Sequence, residues 1–141
     1  MSDSIKLNYK ITDEDFTRAG EASGDVKKRL RQMGCSPEVI RKVAIAMYEG
    51  EINMVIHADG GEIDVEISPE EILMVLKDKG PGIPDIEKAM QAGYSTAPDN
   101  VRALGFGAGM GLPNMKKYSD EMHIDTVVGV GTTVTMKVYQ Q

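Results

Sequence analysis

The sequence predicts an α+β domain, a mixed and mostly antiparallel sheet with helices on one face. Three observations carry this. Ile5–Ile11 and Glu62–Ile67 alternate apolar and polar residues, as strands with one buried face do. Phe16, Ala19, Val26, Leu30 and Met33 recur at helical spacing. No internal repeat or linker divides the 141 residues, a length that suits a single core.

The elements follow in order. After the strand Ile5–Ile11, Thr12 reads as an N-cap with acidic residues in the next turn, giving a first helix to about Met33. Gly34 is a plausible stop, and Ser36-Pro37 restarts a helix, with Ser36 as N-cap and Pro37 in the first turn. That helix runs to about His57 and is closed by Asp59-Gly60-Gly61, with Ile40, Val43, Ala44 and Met47 on the arc facing the sheet. Glu62–Ile67 and Ile72–Asp78 form a hairpin around Ser68-Pro69-Glu70, and the continuous apolar run of the second strand places it more centrally. Pro84-Asp85 opens a short helix to about Ala92. Residues 93–104 lack a period and read as a mobile loop. A helix to about Ser119 precedes two strands, near Met122–Val127 and Thr132–Tyr139.

Composition narrows the function. A net charge of −6 argues against nucleic acid as the main partner, since that role needs a basic face. It leaves a nucleotide site open, because such a site needs local donors and a cation. The single cysteine, Cys35, excludes an intramolecular disulfide framework and a cysteine-cluster zinc site, and it reads as structural. The ten methionines read as pliable core filler. Met1–Lys6 lacks a basic start and an apolar run, and no stretch reaches ~18 apolar residues, so no leader or membrane span is expected and a cytoplasmic location is the default.

Four segments carry candidate chemistry. Gly105, Gly107, Gly109 and Gly111, followed by Leu112 and a helix, form a ladder able to bring backbone N–H groups close to an anion. Asp78 ends an apolar strand before Gly80, Gly82 and Ile83. A carboxylate there can accept from an exocyclic amine such as that of adenine, or it belongs to an ordinary turn. Glu49 and Asn53 lie one turn apart on the second helix. An Asn oxygen can ligate Mg²⁺ and a Glu can hold an attacking hydroxyl, or the two form a solvated polar face. Gly131-Thr132-Thr133 opens the last strand, with a hydroxyl able to join a base pocket. No Walker lysine motif is present, the ladder is no dinucleotide fingerprint, and His57 and His123 read as structural.

Taken in order, Glu49-Gly50-Glu51-Ile52-Asn53, Asp78-x-Gly80-x-Gly82-Ile83, the ladder from Gly105 to Gly111-Leu112, and Gly131-Thr132-Thr133 resemble the N, G1, G2 and terminal Gly-Thr boxes of the GHKL ATPase superfamily. The short length, Asp78-to-Asp85 and Gly93-Tyr94-Ser95-Thr96 look most like the anti-sigma regulatory factors and switch-protein serine kinases within it. The resemblance implies a Bergerat-type two-layer sandwich binding ATP and Mg²⁺. Asn53 would ligate the cation and Glu49 would be the general base or orienting residue. Asp78 would bind the adenine amine, with Gly80 and Gly82 lining the base beside Ile83. Gly105, Gly107, Gly109 and Gly111 would cradle the phosphates ahead of Leu112. Thr132 or Thr133 would complete the pocket, with Thr133 preferred. Residues 93–104 would be the ATP lid, with Arg102 a candidate for phosphate or partner contact. The implied function is an ATP-dependent serine/threonine kinase of a bacterial partner-switching module, acting on a STAS-type anti-anti-sigma protein. The alternative is a nucleotide-gated anti-sigma binding protein with little kinase activity. A sigma factor is the other implied partner, and a homodimer is in keeping with the group.

Overall fold

The computed structural model describes residues 4–11, 20–57, 61–80 and 111–140. They form β1 (Ile5–Ile11), α1 (Glu21–Gln32), α2 (Pro37–His57), β2 (Gly61–Ile67), β3 (Glu71–Asp78), α3 (Gly111–Lys117), β4 (Glu121–Val127) and β5 (Gly131–Tyr139).

Five strands make one sheet in the order β1-β2-β3-β5-β4. Every pairing among them is antiparallel, so the mixed component of the expected sheet is absent from the described residues. The continuous apolar run of β3 takes the central place, as its sequence predicted. The β2–β3 turn closes through Ser68, whose N–H and hydroxyl both donate to the Glu71 carbonyl at 2.9 and 3.0 Å.

Side chains alternate across the sheet. One face carries Ile63, Val65 and Ile67 of β2, Ile72, Met74 and Leu76 of β3, and Val134, Met136 and Val138 of β5, all buried. The helices cover this face. Val26 and Leu30 of α1 and Val43 and Met47 of α2 are buried in the same core, joined by Met115 of α3. Fully burying an aliphatic side chain of this size contributes roughly 1.5–3 kcal/mol, so these contacts hold the two layers together.

Helix ends follow local chemistry. Ser36 Oγ accepts the Val39 N–H at 3.2 Å and caps α2 as expected. At the end of α1, Gly34 has φ +78°, and the N–H groups of Gly34 and Cys35 return to the carbonyls of Arg31 and Leu30. This seats Cys35 against the core, where burial raises its thiol pKa. The start of α1 differs from expectation. Gly20, at φ +101°, precedes Glu21 and stops the helical path there. Thr12, Phe16 and Ala19 lie outside the described residues, as do the expected helix at 84–92 and the loop at 93–104.

Across α1, Asp25 accepts from Tyr9 Oη at 2.6 Å and from Arg29 Nε at 2.9 Å, which ties α1 to the edge strand β1.

Candidate functional site

The helix-covered face changes character at one end. The pairing aligns Ile63, Leu76, Val134 and Ile124 in one apolar row, and the next row is Gly61, Asp78, Thr132 and Thr126. A row of small and polar side chains at the edge of a hydrophobic core brings hydrogen-bonding groups to the end of an otherwise apolar face.

Asp78 is the centre of this row. Its Oδ1 accepts the N–H of Gly80 at 2.9 Å and the N–H of Thr132 at 3.2 Å. Two backbone donors fix the carboxylate from the turn that follows β3 and from the strand beside it. The neighbouring backbones pack tightly. A Cβ on Gly131, at φ +154°, would run into the Asp78 carbonyl and meet Lys79 Cα at 3.1 Å. One on Gly61 would run into the Lys77 carbonyl. Glycine at both positions lets three strands close on Asp78.

Thr132 is 7% exposed, and its Oγ1 lies 2.9 Å from Thr126 Oγ1. Thr133 pairs with Lys77 and Asp125 in the row that faces away from the helices. Thr133, the preferred residue of the sequence reading, thus does not share the face of Asp78. Strand alternation gives the face of Asp78 to Thr132.

Glu49 and Asn53 lie together on α2, where it meets α3. Both are half-buried rather than a solvated face. Asn114 Nδ2 donates to Glu49 Oε1 at 3.4 Å, and Asn53 Nδ2 approaches Met115 Sδ at 3.7 Å. Burial raises the Glu49 pKa above the ordinary value of 4.5, and the Asn114 contact lowers it part of the way back. Gly50 sets the height of this helix over the sheet. A Cβ there would run into Leu76 Cδ2 and meet Met115 Cε at 3.2 Å. Leu76 is two residues before Asp78, so this close packing of α2 on β3 joins the Glu49 turn to the Asp78 strand end.

Two contributors escaped the sequence reading. Asn114, beyond the glycine ladder, carries the donor to Glu49. Glu51 is 2% exposed, and its carboxylate accepts the N–H groups of Gly20, Ala22 and Ser23 at 2.8, 3.2 and 3.0 Å. It supplies the cap that Gly20 lacks and holds the positive end of α1. A charged residue among Gly50, Ile52, Met54 and Val55 was the signal that could have found it.

Of the ladder, Gly111 opens α3, and Leu112 packs against the core. Gly80 is buried. Gly82, Ile83, Arg102, Gly105, Gly107 and Gly109 lie outside the described residues. Among the described residues, no three His, Cys, Asp or Glu gather to hold a metal, and no helix is long and apolar enough to cross a membrane.

The chain is similar in sequence and fold to known proteins. Residues 13–138 match the family described as Histidine kinase-like ATPase domain. The Serine/threonine-protein kinase RsbT of Bacillus subtilis (strain 168) is 30% identical over 128 residues, which cover 88% of each chain. An Anti-sigma F factor of Clostridium beijerinckii is 32% identical over 146 aligned positions, covering 97% of this chain and 95% of that one. The crystal structure of the RsbU and RsbW domains of a Mycobacterium tuberculosis protein superposes with a TM-score of 0.64 at 16% identity, covering 95% of this chain. The match spans 32% of that longer chain and speaks for the fold, the Bergerat-type sandwich.

Proposed function

We propose a phosphotransferase function for this chain, which belongs to the histidine kinase-like ATPase domain family. Family membership implies an ATP site, and the row at Asp78 fits one. Asp78 Oδ1 is occupied by two backbone donors, so Oδ2 is left to accept from the adenine amine. Gly61 and Gly131 keep the floor flat, and Thr132 sets a hydroxyl beside the carboxylate. The ladder glycines Gly105, Gly107, Gly109 and Gly111 would take the phosphates, with Gly80, Gly82, Ile83 and Leu112 lining the site.

Asn53 would give its amide oxygen to Mg²⁺, the remaining shell being phosphate and water oxygens. That suits a cation which keeps most of its ligands outside the protein. The cation would neutralise charge on the transferring phosphoryl group. Glu49 would accept the proton of the attacking serine or threonine hydroxyl, and Asn114 would hold its carboxylate in orientation.

The reading is therefore an ATP-dependent serine/threonine kinase of a partner-switching module, with a STAS-type anti-anti-sigma protein as substrate. The observation that carries it is Glu49, half-buried and held by Asn114 one turn from Asn53. A module that only bound nucleotide would not need this carboxylate. The similarity to the RsbT kinase supports the same reading. The similarity to the anti-sigma F factor supports a second role, sequestering a sigma factor, which the same chain can combine with phosphorylation.

Incubation with radiolabelled ATP, Mg²⁺ and purified STAS-domain proteins tests it. Label should pass to a serine or threonine with wild type and not with Glu49→Gln. Transfer of undiminished rate by the variant overturns the role of Glu49. No transfer to any STAS protein, with ATP bound, moves the binding role to first place.

A further inference from the structure

In the proposed transfer a protein hydroxyl meets Glu49, so the surface around Glu49 meets the rest of that protein. There α3 lies beside α2 and runs the opposite way. Asn114 Nδ2 reaches Glu49 at 3.4 Å, and one turn on, the Tyr118 ring lies 5.9 Å from the Arg41 guanidinium. Lys117 Nζ stands 5.3 Å from the centre of the same ring. Two cations thus converge on one ring, which attracts each but neutralises neither. Both are exposed, and among the described residues neither forms an ion pair. Their neighbour Lys42 is already held by Asp120 Oδ1 at 2.7 Å. In a chain of net charge −6 this is a local excess of positive charge. Helix chemistry explains only part of it. Lys117 lies in the last turn of α3, where the dipole favours a cation, whereas Arg41 lies in the second turn of α2, near the positive end.

Arg41 precedes Glu49 by two turns, about 12 Å along the helix. An extended peptide, at about 3.3 Å per residue, crosses that distance in roughly three to four residues. We propose that Arg41 and Lys117 form a docking site for an acidic side chain of the protein substrate, one that stands about 12 Å from the target serine or threonine hydroxyl. The inference rests on the reading of Glu49 as the group that receives this hydroxyl, and it adds a substrate class to that reading. The Arg41 guanidinium offers a planar fork that fits a carboxylate, and Lys117 adds a second charge. The surroundings favour a protein carboxylate over a polyanion. Glu38 stands one turn before Arg41, and Asp120 is partly exposed beside Lys42. A nucleic acid or an anionic bilayer laid across the patch would meet these like charges, and a single side chain would not.

Steady-state kinetics with a purified STAS-domain protein that wild type phosphorylates tests the proposal. Arg41→Ala/Lys117→Ala should raise the KM for the STAS protein about fivefold, the worth of two exposed ion pairs, with kcat and the KM for ATP unchanged. The difference should shrink in about 0.5 M salt, which screens such pairs. Lys6→Ala/Lys10→Ala makes the same change of charge on the exposed edge strand β1 and should leave all three constants at wild-type values. A protein KM that does not rise in the Arg41/Lys117 variant, or rises equally in the β1 variant, overturns the proposal. So does a parallel rise in the KM for ATP, which marks a merely structural effect. A charge swap locates the contact. A STAS variant with the acidic residue about 12 Å from its target hydroxyl changed to lysine should be a poor substrate of wild type, and Arg41→Glu/Lys117→Glu should restore its transfer. Absence of that rescue overturns the assignment. Wild type that binds ATP yet phosphorylates no STAS protein overturns the kinase reading, and this inference with it. Transfer with an unchanged protein KM in Arg41→Ala/Lys117→Ala overturns the docking site alone.

Discussion

Asp78 and Thr132 face each other across β3 and β5, and the Thr132 N–H donates to Asp78 Oδ1 at 3.2 Å. The bond uses backbone on one side, so it survives any change in the threonine side chain. It leaves the second carboxylate oxygen of Asp78 for a ligand in the proposed nucleotide site. A bond from strand backbone to carboxylate thus lies in the floor of the proposed nucleotide site at the end of the sheet.

Asp78→Asn should fold, because an amide oxygen can still accept from Gly80 and Thr132. Its nucleotide affinity should fall roughly 10- to 100-fold, the worth of a charge-assisted hydrogen bond. Titration with ADP measures this, and affinity within a factor of about two of wild type would exclude Asp78 as the base contact.

Glu49 titrates above its ordinary 4.5 because burial outweighs the Asn114 contact. In the proposed transfer Glu49 acts in its ionised form, so the rate should fall on acidification at a pH above the ordinary carboxylate range. In Asn114→Ala the limb should move to still higher pH, since the contact that lowers the pKa is gone. The pH profile of transfer for the two proteins decides this.

Stability gives the opposite sign for the same group. A raised folded pKa contributes stability that is full below the unfolded pKa and is lost as pH rises through the folded one. Glu49→Gln should therefore gain on wild type between acid and neutral pH while losing transfer. Melting curves at pH 4 and pH 7 compare the two.

Glu51→Ala removes the acceptor of three N–H groups at the head of α1. Unsatisfied buried donors and a lost cap should cost about 2–4 kcal/mol, and Glu51→Gln about 1 kcal/mol. Urea unfolding measures both, and a neutral alanine variant would mean that α1 holds without this cap.

Gly50→Ala gains about 1 kcal/mol of helix propensity. The new methyl group collides with Leu76 and Met115 in the core, and overpacking costs about 1–3 kcal/mol. The variant should be less stable than wild type by urea unfolding, and weaker for ADP because Glu49 and the Asp78 strand shift together.

Much of this architecture is written in local pattern. The alternation of Ile5–Ile11 and the capped start at Ser36-Pro37 give β1 and α2 their bounds, and Gly34 stops α1 as its position suggests. The order of Glu49, Asn53 and Asp78 along the chain points to the site. Other features depend on partners distant in sequence. Glu51 caps a helix that starts about thirty residues earlier, a contact no local rule describes. Thr132 and Thr133 differ only in which face they take, and the pairing of Asp78 with Thr132 decides that. Asn114 finds Glu49 only once α3 lies on α2.

The most direct test of the central claim is the thermal shift with ATP, with and without Mg²⁺, in wild type and Asn53→Ala. A ligand that binds only the folded state stabilises it by RT ln(1 + [L]/Kd) and so raises the melting temperature. The account predicts a rise that depends on Mg²⁺ in wild type and is lost in Asn53→Ala. A folded wild-type protein whose melting temperature does not move with ATP and Mg²⁺ would contradict it.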